Sequence, residues 1–175
     1  MYPIVRLVLG ILKAKQSNPV SFHEPSIIHF RCRPWDLDMF QELNNGRALT
    51  LYDLGRFDLA IRTPLMKALK ANQWGLVVAG STVRYRKRIR MFDKIEMRTQ
   101  MVGFDDRWIY LTQSMWVKGE PCSSLLIRTG VTAKGKVIPP QQAQDAMGIE
   151  HLDFAPSQWL NQWTESEALR PWPPE

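Results

Sequence analysis

The sequence predicts an α+β fold, an antiparallel sheet with one long helix laid on a face of it. Two observations carry that expectation. Residues 45–62 show a helical period in which Ala48, Tyr52, Gly55 and Leu59 fall on one line, spaced by four, three and four. From Gly75 onward the period becomes two, and strand-like runs follow one another, joined largely by tight turns. A strand, helices and then a run of strands is the order of an α+β design. The chain of 175 residues fits one domain, with no internal repeat and no linker long enough to divide it.

The elements follow in order. Residues 26–33 alternate, with Ile28, Phe30 and Cys32 on one face and His29, Arg31 and Arg33 on the other, which predicts a half-buried strand. A polar loop with Asp36 and Asp38 leads to Asn44-Asn45, and the long helix starts near Asn45 or Gly46 and ends near Arg62. The small residues on its line allow a sheet to approach closely. Asp53 with Arg56 and Asp58 with Arg62 have the spacing of surface ion pairs. Thr63-Pro64 reads as an N-cap followed by proline at the first helical position, opening a short helix to about Asn72.

Residues 76–87 then read as one strand, apolar first and basic at its end. Residues 94–101 bury Ile95, Met97, Thr99 and Met101 on one face. Asp105-Asp106 turns the chain into a strand over 108–117, and 118–121 turn it into another over 122–133, which Lys134-Gly135-Lys136 closes. Pro139-Pro140 stops any continuation, and 141–147 and 157–169 are expected as peripheral helices. The expected division is an apolar and basic N-terminal helix over 1–20, the main domain over 21–140 and a helical extension over 141–175.

Hydrophobic residues at 45% and charged ones at 23% are those of a globular protein. Two cysteines, Cys32 and Cys122, without a CxxC pair, argue against a disulfide framework and a zinc site, and for a reducing, cytoplasmic setting. His23, His29 and His151 lack metal spacing, so no metal is expected. The net charge of +6 suits an anionic partner. The apolar run from Ile4 to Leu12, interrupted by Arg6, is far shorter than the ~20 residues a spanning helix needs. No small-residue cleavage site follows it. A helix packed on the domain is preferred, with a basic amphipathic segment lying on a membrane as the alternative, since Lys13 and Lys15 follow directly.

The stretch DLDMFQELNNGRALTLYDLGR resembles the signature of the hotdog-fold acyl-CoA thioesterases of the 4-hydroxybenzoyl-CoA thioesterase-like group. There a D-x-D pair precedes G-H-x-N-N and the central helix; here Asp38 and Asn44-Asn45 keep the spacing. A basic Y-x-R stretch also matches, in YRKRIRMFDKIEMRTQM, and the likeness covers roughly residues 27–137. It is similar above all to the subgroup with an N-terminal apolar segment, the thioesterase superfamily member six-like proteins. The resemblance implies a hotdog fold, with a five- or six-stranded antiparallel sheet wrapped around the long central helix. It also implies a homodimer or tetramer with sites shared across the interface, and hydrolysis of an acyl-CoA thioester with coenzyme A as part of the substrate. Two positions depart from the pattern: Gln41-Glu42 replace the Gly-His, and Ala48 replaces a tyrosine.

Thioester hydrolysis needs a carboxylate, to attack the carbonyl or take a proton from water, and donors for the oxyanion. On the resemblance, Asp38 is the carboxylate, against its ordinary use as a turn or helix cap, and Asp36 shapes the loop. Asn44 and Asn45 are candidates to orient the carboxylate or substrate; Asn45 also reads as the helix cap and Asn44 as a loop brace. Glu42 reads as a solvated loop residue, with a second-carboxylate role as the alternative. Arg86, Lys87 and Arg88 are the candidates to grip the phosphates of coenzyme A, against the plainer reading of a charged edge strand. Met39, Phe40, Trp74, Met91, Phe92 and Met101 line an acyl tunnel or belong to the core. A non-catalytic dimer that binds acyl chains or a membrane-associated partner is the competing function. Nucleic-acid binding is disfavoured, because no aromatic-basic motif accompanies the arginines.

Overall fold

The computed structural model describes residues 2–149, 152–154, 156–171 and 173–174. His151 therefore lies outside the described residues. Among the described residues five α-helices, α1 (Ile4–Gln16), α2 (Asn45–Arg62), α3 (Leu65–Asn72), α4 (Pro140–Met147) and α5 (Gln158–Leu169), accompany six strands. The strands are β1 (Ser26–Arg31), β2 (Gly75–Tyr85), β3 (Lys94–Phe104), β4 (Ile109–Val117), β5 (Glu120–Ala133) and β6 (Lys136–Ile138). All pairings are antiparallel, in the order β1-β3-β4-β5-β2, with β6 pairing the end of β5 on the side away from β2.

The alternation in β3 decides which face packs. Ile95, Met97, Thr99 and Met101 are buried, and the residues between them are half-exposed, as the period of two requires. Over that face runs α2, whose line of Ala48, Tyr52, Gly55 and Leu59 is buried along its length. Gly55 is the closest approach. A Cβ there would stand 2.3 Å from Thr99 Oγ1 and 2.8 Å from the Met97 sulfur, so any side chain would push the sheet away. Around it Leu51, Tyr52, Ile95, Met97, Met115 and Leu125 form the core, and each such side chain contributes about 1.5–3 kcal/mol by leaving water. On the opposite face Tyr110 and Leu126 pack against Leu160 and Trp163 of α5.

Several boundaries differ from the sequence expectation, each for a local reason. Asn44, not Asn45, caps α2, its Oδ1 accepting from the N–H of Arg47 at 3.0 Å. Thr63 ends α2 instead of capping α3, and its hydroxyl faces the Ala60 carbonyl. Lys134 and Gly135, both with positive φ, close β5 as expected, but as a two-residue hairpin turn into a further strand, β6. Asp58 is buried, not a surface residue, because Ser26 Oγ donates to it at 2.5 Å and Arg62 stands 3.2 Å away. Cys32 is buried beside Asp36, and burial first, then that carboxylate, pushes its thiol up to about 11.

Candidate active site

The loop between β1 and α2 is held at both ends by its two aspartates. Asp36 is fully buried. It takes Arg6 Nη2 at 2.7 Å, Arg47 Nε at 2.8 Å and the N–H of Arg33 at 2.8 Å. One carboxylate thus ties together α1, the loop and the first turn of α2. The visible trace in the sequence is Arg6, a cation interrupting an apolar run. Asp36 was expected to shape the loop; it does so as the buried centre of an ion-pair cluster.

Asp38 is half-buried one step further along. Its Oδ1 accepts from the N–H of Phe40 at 2.9 Å and of Glu42 at 3.4 Å, an Asx-type turn. Its Oδ2 carries no hydrogen bond among the described residues. The N–H of Asp38 donates to the Glu42 carbonyl and the N–H of Gln41 to the Asp38 carbonyl, closing a tight loop. Gln41 stands at φ 58, a left-handed conformation that glycine adopts without the Cβ penalty. The glycine of the resembling pattern therefore has a conformational reason, and this chain holds the same bend with a glutamine.

Asn44 and Asn45 separate in role. Asn44 is committed to the cap and Asn45 is the first residue of α2, exposed at its start. The amides of Asn45 and Gly46 carry no hydrogen bond among the described residues, so the helix presents free donors beside the loop.

The basic stretch is not a strand throughout. β2 ends at Tyr85, and the next residues cross the loop: the N–H groups of Arg86 and Lys87 both donate to the Cys122 carbonyl, and Leu43 N–H donates to that of Ile89. Ile89 is buried as the anchor, while Arg86, Lys87, Arg88 and Arg90 project outward. Two of these cations already face carboxylates. Lys87 Nζ stands 2.6 Å from Glu120, an exposed pair, and it holds the Glu120 carboxyl below its usual range. Arg88 Nε stands 2.9 Å from Glu42 Oε2.

Between that crossing and the start of α2 lies a depression of about 190 Å³, lined among others by Glu42, Asn45, Ala48, Tyr85, Arg86 and Ser123. Ala48 leaves room where the resembling pattern has a tyrosine. Below it the Tyr52 hydroxyl meets Ser123 Oγ at 2.8 Å, and burial raises the phenol well above its ordinary value, so Tyr52 stays neutral. The Tyr85 hydroxyl donates to the Asn45 carbonyl at 3.2 Å on the rim. Sequence read Tyr52 only as part of the packed helix face and Tyr85 only as the start of the basic stretch, and did not mark Ser123, so none of the three was named as a site residue. A second depression of about 420 Å³, lined by Met39, Phe40, Glu42, Arg88, Arg90 and Met91, adjoins the first.

The structure brings Asn45, Arg86, Lys87 and Arg88 to one depression, with Glu42 between it and the next. Asp38 lines neither depression; it is joined to Glu42, which lines both, through hydrogen bonds with the Glu42 backbone. Glu42 is not a solvated loop residue: it is half-buried and its Oε2 is enclosed. The expected acyl tunnel is not formed by the residues named for it. Met39, Phe40, Met91 and Phe92 are exposed, and Met101 is core. Among the described residues no cluster of His, Cys, Asp or Glu could hold a metal ion.

Comparison with known proteins adds to this geometry. Residues 32–147 match the family model described as the thioesterase-like superfamily. Protein THEM6 of Xenopus laevis is 36% identical over 80 residues, which are 46% of this chain and 39% of that protein. The chain thus matches less than half the length of that relative. The probable thioesterase YbaW from Escherichia coli superposes with a TM-score of 0.65 at 18% identity, covering 71% of this chain and 96% of that one. A thioesterase from Thermus thermophilus, solved with coenzyme A and zinc, gives 0.61 at 21% identity, covering 71% and 98%. These likenesses establish the hotdog fold, with its sheet wrapped around α2. By the match over residues 32–147 the chain belongs to the thioesterase-like superfamily.

Proposed function

We propose that this protein is an acyl-CoA thioesterase in which Asp38 acts on the thioester, as nucleophile or as general base. The observation that carries the reading is one juxtaposition. A carboxylate with an uncommitted Oδ2 is braced by the backbone amides of Phe40 and Glu42, and Glu42 in turn lines a depression with Arg86, Lys87, Arg88 and Asn45, where α2 opens. Asp38 supplies the attack or removes a proton from water, the amides of Asn45 and Gly46 suit the developing oxyanion, and Arg86, Lys87 and Arg88 suit the phosphates of coenzyme A. Asn44 positions that helix start. The superfamily membership and the coenzyme A bound to the Thermus thermophilus protein support the substrate class. The test is thiol release across a panel of acyl-CoA esters. Turnover of at least one ester is expected, falling about a hundredfold or more in Asp38→Ala. No turnover on a broad panel, or full activity in Asp38→Ala, would sink the assignment.

Two features of assembly belong to the same reading. β2 is a sheet edge eleven residues long that exposes Leu76 and Val78, and its pairing with a second copy would give a homodimer. α1 exposes Ile4, Val5, Val8, Leu9 and Leu12 on one side, which supports a peripheral membrane contact. Should hydrolysis be absent, that surface favours the second reading, a non-catalytic dimer at a membrane. Among the described residues no helix is long and apolar enough to cross one.

A further inference from the structure

We infer that Glu42 is a built-in competitor for the anion subsite at Arg88, holding it until a phosphate or pyrophosphate group displaces the carboxylate. The inference rests on the coenzyme A reading and names how that site is gated. Glu42 and Arg88 are the two residues shared by both depressions, so their pair is the partition between spaces of about 190 and 420 Å³. The two partners are held very differently. Glu42 is fixed by its backbone: its N–H donates to Asp38 Oδ1, its carbonyl accepts from Asp38, and it bridges to Arg90. The Arg88 side chain is 69% exposed and free to swing.

The contact itself is poor for its closeness. Arg88 Nε and Glu42 Oε2 stand 2.9 Å apart, yet that oxygen is enclosed by protein and lacks an aligned hydrogen bond. A carboxylate oxygen withdrawn from water without a directed donor is costly, so the pair is an easy one to exchange. A phosphate brings more charge and more acceptor oxygens to a guanidinium than one carboxylate does. Arg88 moving to it opens the partition, and the two depressions become continuous. Glu42 also repels any phosphate that arrives while Arg88 is elsewhere. The glutamate thus lowers resting affinity for oxyanions and sharpens the demand for a ligand that can take Arg88 from it.

The experiment measures dissociation constants for coenzyme A and for inorganic pyrophosphate, by calorimetry, in wild type, Glu42→Gln, Arg88→Gln and the double variant. Glu42→Gln is nearly isosteric and Arg88 is exposed, so melting curves should stay close to wild type. We expect Glu42→Gln to bind coenzyme A about fivefold more tightly, a gain that shrinks in high salt. The gain should vanish in the Arg88→Gln background, which separates exchange at Arg88 from a general change in charge. Equal or weaker binding in Glu42→Gln, or the same gain without Arg88, overturns the inference while leaving the coenzyme A reading intact. A gain seen for pyrophosphate alone keeps the gate and removes coenzyme A as its ligand. Binding of neither ligand by any variant overturns both.

Discussion

At the scale of residues, the two aspartates of one loop do opposite work, and burial tells them apart. Asp36 and Asp38 are both loop carboxylates two positions apart, and the sequence pattern alone cannot say which is structural. The difference comes from partners far away in the chain: Arg6 and Arg47 converge on Asp36 and take its charge out of service. A carboxylate so committed cannot readily attack a thioester, whereas Asp38 has only backbone amides on one oxygen. Replacing Asp36 by alanine takes the shared carboxylate from two mostly buried guanidiniums and removes the lock between α1, the loop and α2. The expected loss is about 3–5 kcal/mol of unfolding free energy in chemical denaturation. A loss under about 1 kcal/mol would show that the cluster is incidental. Asp38→Ala, by contrast, should cost little stability while removing turnover, so the pair separates a folding carboxylate from a chemical one.

At the scale of elements, what was legible depended on how local the cause was. The helix from Asn45 to Arg62 and the alternation of β3 follow from periodicity, because one buried face imposes it. The hairpin at Lys134-Gly135 and the end of β2 at Tyr85 were missed, since a three-residue strand has no period and the arginine run continues past the last sheet pairing. α1 is legible only in part. Leu7, Ile11 and Ala14 turn toward the domain, as a packed helix requires, while Ile4, Val5, Val8, Leu9 and Leu12 remain outside. At 100° per residue those five fall within one stripe; Lys13 lies on its flank and Lys15 at its C-terminal end. That is the arrangement of a helix lying in an anionic interface, with each lysine near the surface adding about 1 kcal/mol. Replacing Val5 and Leu9 by glutamine leaves the packed side intact. The double variant should float with phosphatidylglycerol vesicles at least tenfold less than wild type; equal flotation would remove membrane contact from the proposal.

For the whole molecule, the sheet raises a question that no single strand answers: why its longest exposed edge is also apolar. β1, at the opposite edge, presents polar His29 and charged Arg31 to solvent, groups that discourage pairing with another chain. β2 carries no charge before Arg84 and exposes both faces along its length, with Val78 53% exposed. A lone domain with such an edge would be prone to stick. A second β2 laid antiparallel would satisfy its free amides and carbonyls. The sequence showed the strand but not its place in the sheet, because edge position is set by pairings made far along the chain. In sedimentation at micromolar concentration the protein should run at twice its 20.3 kDa chain mass. Val78→Lys would set like charges close together across the new pairing while leaving the core untouched, and dimer affinity should fall tenfold or more. A wild type that sediments as a monomer, or a Val78→Lys variant that dimerises as well as wild type, would place the second copy elsewhere. Loss of turnover in the monomeric variant, with its melting curve unchanged, would then mark the depression at Arg88 as complete only in the pair.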